Sequence, residues 1–144
     1  MFYCDTSFLT PLMLEEAAST AVETFLGTRP EGALCVSYFT KLEFSSLLAR
    51  EVRMRGLTAA AALAAARQFD ELLAQSYAII LPEIEDYLLA DRFIRQFATG
   101  LRAGDALHLA IAKNHGAQQL YTLDQGLLKA GKLLRIPVSQ GIRR

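Results

Sequence analysis

The sequence predicts an α/β fold built on a mostly parallel sheet, and three observations carry that prediction. Short apolar runs alternate with longer helical patterns along the chain, glycines close several of the helical segments, and Leu101 to Asp124 runs in the order helix, glycine, strand, acid. Strands alternating with helices make a sheet covered on both faces, and in such sheets ligand sites gather beyond the carboxyl ends of the strands.

The elements follow in order. Met1 to Cys4 is a short apolar strand that stops at Asp5-Thr6-Ser7, so an acid sits just past a strand end. Pro11 is expected to keep the next residues out of a helix interior, and Glu15 to Leu26 reads as the first helix, ended by Gly27 and Pro30. Ala33 to Val36 is the second strand. Ser37 to Thr40 opens a second helix with Phe44, Leu47, Leu48 and Val52 on one side, Glu43 at the border of that stripe and Gly56 at its close. Thr58 caps a third helix, from Ala59 to about Gln75, whose alanine content reports helix propensity and no chemistry.

Ala78 to Leu81 is a third strand before Pro82, and Glu83 to Ala98 is an amphipathic helix expected to turn Ile84, Leu88, Phe93, Ile94 and Phe97 inward. After Gly100, the stretch from Ala103 to Lys113 is nearly all apolar, which marks a helix buried on most sides, with Asp105 and His108 as the exceptions and Gly116 at its end. Leu120 to Leu123 is a strand with Asp124 at its carboxyl end. Gln125 to Lys132 is a last helix, and Ile136 to Val138 a final strand before a basic, frayed Arg143-Arg144 end.

At 144 residues the chain fits one domain, 1–144, able to bury a core without disulfides or structural metal. A hydrophobic fraction of 52% with 21% charged residues is on the apolar side of the soluble globular range, consistent with surface hidden in a dimer or under a partner. The longest apolar run, Ala59 to Ala66, is far short of a membrane span, and Asp5 stands where a signal peptide is basic, so the expected location is the cytoplasm. Cys4 and Cys35 have no CxxC spacing and no nearby His, and read as buried free thiols. Fifteen basic and fifteen acidic residues cancel. Any attraction to nucleic acid must come from a local patch or a bound cation.

The chemistry candidates are Asp5, Glu43, Asp105 and Asp124, two at strand ends and two expected in the first turns of helices entering from the same side of the sheet. Converging carboxylates repel and call for a counter-ion. Hard divalent cations, which take oxygen ligands and keep waters for substrate phosphates, suit them: Mg²⁺ or Mn²⁺ fits, whereas Zn²⁺ lacks its His and Cys ligands. Each acid also has a bland alternative. Thr40-Lys41-Leu42-Glu43 matches a capping box, Asp105 fits a cap or a charge at the positive end of a helix, and Asp5 and Asp124 fit turn formers after strands. Thr6, Ser7 and Thr122 flank the acids and can bond carboxylate oxygens or metal-bound water, or simply make turns. His108 lies on the same helix face as Asp105; it reads as a satisfied structural residue and is left out of the site.

The strand ending in Asp5-Thr6-Ser7, Glu43 opening a helix, the segment Gly104-Asp105-Ala106-Leu107-His108-Leu109-Ala110 and the segment Leu120-Tyr121-Thr122-Leu123-Asp124 together resemble a PIN domain over almost the whole chain. Within that family the DTS, DALHLA and TLD segments are most similar to the VapC toxins of bacterial toxin and antitoxin pairs. The resemblance implies a three-layer α/β/α PIN-like fold and a metal-dependent endoribonuclease. Acids matching Asp5, Glu43, Asp105 and Asp124 would hold one or two Mg²⁺ or Mn²⁺ ions. It also implies a homodimer, a VapB-like antitoxin that inserts a segment near the acidic pocket, and DNA binding only indirectly through that antitoxin. Arg102 and the group Arg50, Arg53 and Arg55 are candidates for RNA backbone contacts. The latter group also reads as a solvated helix face with Glu51 and Arg55 as an i,i+4 pair.

Other readings fare unequally. A haloacid dehalogenase-type phosphotransferase resembles Asp-x-Asp after the first strand, but here the second position is Ser7. A receiver domain wants paired acids near that strand and a late lysine. A PIN-like protein that binds antitoxin or RNA without catalysis, or a housekeeping PIN nuclease, stays open.

Overall fold

Five strands form one sheet: β1 (Phe2–Cys4), β2 (Leu34–Ser37), β3 (Ala78–Ile80), β4 (Gln119–Tyr121) and β5 (Val138–Ser139). Every pairing is parallel, in the order β3-β2-β1-β4-β5. The structure is a computed structural model and describes residues 1–143; Arg144, part of the expected frayed end, lies outside them. The helices are α1 (Thr6–Met13), α2 (Ser19–Gly27), α3 (Tyr38–Arg53), α4 (Ala59–Ser76), α5 (Ile84–Arg95), α6 (Ala103–Asn114) and α7 (Gln125–Leu133), with a 3₁₀ turn at Phe97–Thr99.

Successive strand residues point to opposite faces, so each strand feeds two cores. Tyr3, Cys35 and Leu120 join Leu89 and Phe93 of α5, Leu109 and Ile111 of α6 and Leu127 of α7 on one face. Cys4, Leu34, Val36 and Tyr121 join Phe8 and Leu9 of α1, Phe44 and Leu48 of α3 and Phe69 and Leu73 of α4 on the other. The architecture is the three-layer α/β/α expected. Winding outward from β1, the chain builds β2 and β3 on one side and β4 and β5 on the other, so the order reverses at β1. Open α/β sheets bind ligands beyond the carboxyl ends of the strands at such a reversal, which here lies at the ends of β1 and β4.

Several elements depart from their expected bounds. The first helix begins at Thr6, directly after β1, and carries Pro11 inside it. Proline removes one helical donor, but the Asp5 side chain accepts the Phe8 N–H at 3.0 Å and the full burial of Phe8 and Leu9 favours the helix. The next helix then starts at Ser19 instead of Glu15. Strand β4 stops at Tyr121: the Thr122 N–H still reaches the Ser139 carbonyl at 3.0 Å, but the next donors turn to side chains, Leu123 N–H to Ser7 Oγ at 3.0 Å and Asp124 N–H to Thr122 Oγ1 at 3.1 Å. Ile136 is drawn off the last strand by the bond from its N–H to the Gly131 carbonyl at 2.8 Å, and β5 is confined to Val138–Ser139.

The inward face of α5 also differs. Asp86, Leu89, Ala90 and Phe93 are buried and Ile94 is half-buried, whereas Ile84 is 73% exposed, Leu88 56% and Phe97 84%. The helix is turned so that Asp86 faces inward, where it accepts the Glu83 N–H at 2.9 Å and Asn114 Nδ2 at 2.8 Å and bonds His115 Nε2 at 3.1 Å. A buried carboxylate with that many partners costs little, and it ties the start of α5 to the end of α6. Cys4 and Cys35 are buried free thiols. Among the described residues no helix is long and apolar enough to cross a membrane.

Candidate active site

Asp5 follows β1 and caps α1. Its Oδ1 accepts the Phe8 N–H at 3.0 Å and Ser7 Oγ at 2.8 Å, and its Oδ2 accepts Thr122 Oγ1 at 2.6 Å. The carboxylate is buried, and Thr122 and Ser7 clamp it between the ends of β1 and β4. Burial pushes its proton affinity up; the charge of His108 and the bonds from Thr122, Ser7 and Phe8 act against that, and the net shift is upward.

Glu43 is not part of a capping box. The cap of α3 is Ser37, which reciprocates with Thr40: Thr40 N–H donates to Ser37 Oγ at 3.4 Å, and Ser37 N–H to Thr40 Oγ1 at 3.3 Å. The expected Thr40 to Glu43 box therefore does not form, and Glu43 lies in the second helical turn, not the first. Its Oε1 accepts Thr6 Oγ1 at 2.6 Å and is hydrogen-bonded to His108 Nε2. Burial alone would raise the Glu43 pKa, but the bond and charge of His108, with Thr6, outweigh it and hold the carboxyl below its ordinary value.

Asp105 is the third residue of α6, whose cap position is Arg102, with no side-chain cap bond. Among the described residues it has no hydrogen-bond partner, so it is not a cap. Half-buried, it is pushed up to about 6 by burial and then by the charge of Asp124, with Asp5 and Glu43 adding and His108 opposing. All the other candidate acids thus lie close enough to act on Asp105. Asp124 is exposed and does have a bland role, since it caps α7 by accepting the Leu127 N–H at 2.9 Å.

Asp5 and Asp124 thus stand past the ends of β1 and β4, where the sheet order reverses, and residues 2–133 match the PIN domain family. The chain belongs to that family. The PIN domain is similar in structure to the sarcin-ricin loop cleaving toxin VapC20 of Mycobacterium tuberculosis, with a TM-score of 0.72 and 22% identity, covering 91% of this chain and 95% of that one. FitAcB from Neisseria gonorrhoeae gives a TM-score of 0.71 at 19% identity, covering 98% of each chain. VapBC2 from Rickettsia felis, bound to a DNA fragment from their promoter, gives 0.67 at 12% identity, covering 96% of this chain and 98% of that one. At these identities the likeness establishes the fold. No curated protein sequence matches the chain.

The side chains that could contribute to a cation site are all oxygen donors: the four carboxylates, with Thr6 bonded to Glu43 and with Ser7 and Thr122 bonded to Asp5. Among the described residues no group of three or more His, Cys, Asp or Glu side chains is gathered closely enough to hold a metal ion by itself. Oxygen donors of this kind suit Mg²⁺ or Mn²⁺: Mg²⁺ in particular is held by one or two carboxylates while waters and phosphates complete its shell, whereas Zn²⁺ is held mostly by His and Cys. Arg102 is exposed at the start of α6, three residues before Asp105. Arg50 and Arg53 are exposed in the last turn of α3, where positive charge complements the helix dipole, and Arg55 follows the helix with a φ of 60°. Among the described residues Glu51 and Arg55 form no ion pair, because the Glu51 carboxylate lies against Gly56.

Two residues of the PIN domain that touch Glu43 were given no part in the site from the sequence. His108 is buried and satisfied, as a structural histidine would be, but one of its partners is Glu43; its other ring nitrogen, Nδ1, lies 2.7 Å from Tyr3 Oη. The signal was its spacing of three from Asp105 on one helix face. Gly104 is the second: a β-carbon there would stand 2.8 Å from Glu43 Oε2. Its only mark in the sequence is its place directly before Asp105.

Proposed function

We propose that this PIN domain is a Mg²⁺- or Mn²⁺-dependent endoribonuclease and the toxin of a VapC-like toxin and antitoxin pair. The observation that carries the reading is that Asp105, half-buried in the first turn of α6, lies within reach of the charges of Asp124, Asp5 and Glu43. Such mutual repulsion is relieved by a cation or by protons. In this reading Asp5, Glu43, Asp105 and Asp124 hold the ion. When bound, it supplies the acidity that makes water a nucleophile at neutral pH and offsets charge on the leaving oxygen.

The chain's own part is orientation. Thr122 and Ser7 hold Asp5, Thr6 and His108 hold Glu43, and Arg102 meets the RNA backbone at the edge of the site. No side-chain nucleophile is required, and a bound cation answers the zero net charge by bringing positive potential to the point where a phosphate arrives. The similar VapBC and FitAcB assemblies support a VapB-like antitoxin as partner, with DNA bound only through it, and the reading includes a homodimer acting in the cytoplasm. The substrate of VapC20 makes the sarcin-ricin loop the first RNA to try.

A second reading is supported by the caps: Asp5 and Asp124 each begin a helix, so the acids can serve folding while the protein acts by binding antitoxin or RNA. Sequencing of RNA ends separates the two. Wild type with Mn²⁺ should release discrete 5′ or 3′ ends that chelator, Asp5→Ala and Asp105→Ala each abolish. Equal ends from wild type and Asp105→Ala leave only the binding reading.

A further inference from the structure

We infer that His108, itself held by Tyr3, is a positioning residue that clamps one oxygen of Glu43 and presents the other to the cation. The inference rests on the cation site proposed above and adds to it a part that no carboxylate supplies.

The direction of each bond is fixed from the acid outward. Ionised Glu43 can only accept, so His108 Nε2 and Thr6 Oγ1 both donate, and both donate to Oε1. Oε2 accepts no hydrogen bond among the described residues and lies against Gly104, whose missing β-carbon makes the room. One oxygen is therefore fixed twice while its neighbour keeps its lone pairs, beside the helix turn that carries Asp105.

The far side of the imidazole is fixed as firmly. Tyr3 Oη lies 2.7 Å from Nδ1 and 2.9 Å from Ser37 Oγ, and Ser37 is the cap of α3. Bonds thus run from the α3 cap through Tyr3 and His108 and return to α3 at Glu43. Burial keeps the Tyr3 phenol protonated far above the physiological range, so it always retains its proton for this chain. The rings of Tyr3 and Phe39 pack on the imidazole, with centroids 5.7 and 5.2 Å away. His108 belongs to the helical layer of α6, whereas α3 packs its Phe44 and Leu48 into the opposite layer. The His108 to Glu43 bond therefore joins the two layers across the carboxyl edge of the sheet. A histidine needed only for packing has no reason to end on an acid of the site.

The test is the Mn²⁺ dissociation constant of the full chain, read from the electron paramagnetic resonance signal of free Mn²⁺, with a thermal melt of each variant. His108→Gln can place an N–H where Nε2 now donates; His108→Asn keeps a polar group near Nδ1 but cannot reach Glu43. Loss of such a partner typically weakens metal binding by about tenfold or more, which is the fall expected for His108→Asn. His108→Gln should stay within about threefold of wild type, a modest change on the scale of one hydrogen bond. Equal affinities for the two variants, whether both unchanged or both reduced, overturn the inference. If either variant fails to fold, Tyr3→Phe decides: it keeps the ring, removes the bond to Nδ1, and should weaken Mn²⁺ by about threefold, whereas wild-type affinity overturns the inference. Wild-type protein that takes up no Mn²⁺ overturns the cation reading itself, and this inference with it.

Discussion

A β-carbon at position 104 would stand 2.8 Å from Oε2 of Glu43, a separation that real side chains essentially never adopt. Glycine at this place in α6 is therefore a consequence of where the Glu43 carboxylate must sit. In an exposed helix Gly→Ala gains about 1 kcal/mol. Gly104→Ala is expected to leave the melting temperature near that of wild type, since the carboxylate can swing away, while Mn²⁺ affinity falls about tenfold. A melt and a Mn²⁺ titration on one sample check both halves, and undiminished affinity would show that Oε2 does not face the ion.

Asp105 makes the stability of the cation-free protein depend on pH in a defined direction. Its folded pKa of about 6 lies above the value of about 4 for an unfolded aspartate. The native state therefore holds the extra proton between those values, and the associated stability, full below pH of about 4, is lost as the pH rises through about 6. Melts in chelator should show this decline in wild type and a flatter profile in Asp105→Asn. At pH 7.5 the variant should melt higher than wild type and gain nothing from added Mn²⁺. A lower melting temperature for the variant would mean that the repulsion does not exist.

Asp86 tests the scaffold separately from the site. Burial would push its carboxyl up, but the Glu83 N–H, Asn114 and His115 outweigh that and hold it below its ordinary value. A lowered pKa contributes stability above the unfolded value of about 4 that is lost as the pH falls through the folded one. Asp86→Ala strands three donors and should cost about 2–3 kcal/mol in urea denaturation at neutral pH, with the deficit narrowing in acid. RNA cleavage per folded molecule should be unchanged, because Asp86 bonds the ends of α5 and α6 and none of the site acids.

Much of the fold was legible because alternation along the chain needs no distant partner: each strand, each helix and their layering follow from runs of a few residues. Asp5, Glu43, Asp105 and Asp124 stood out for the same reason, as acids where apolar neighbours gave them little to do. What stayed hidden depended on residues far away in the sequence. The rotation of α5 turns on Asn114 and His115, which satisfy Asp86 from 28 and 29 residues away. His108 finds Tyr3 and Glu43 at separations of 105 and 65 residues. In Ser37-Tyr38-Phe39-Thr40 two residues can cap, and only the backbone angles of Ser37 decide for it over Thr40. Pro11 suggested a break that the Asp5 cap and two buried side chains override.

The central claim, RNA cleavage through a cation held by the site acids, is met most directly by one comparison. Wild type and Asp105→Asn are incubated with a sarcin-ricin stem-loop and with total cellular RNA, in Mn²⁺ and in chelator, and the cut ends are counted. The expected result is cleavage by wild type in Mn²⁺ alone and a fall of about a hundredfold in Asp105→Asn, whose fold is intact. Cleavage that survives chelator, or that Asp105→Asn performs as well as wild type, contradicts it.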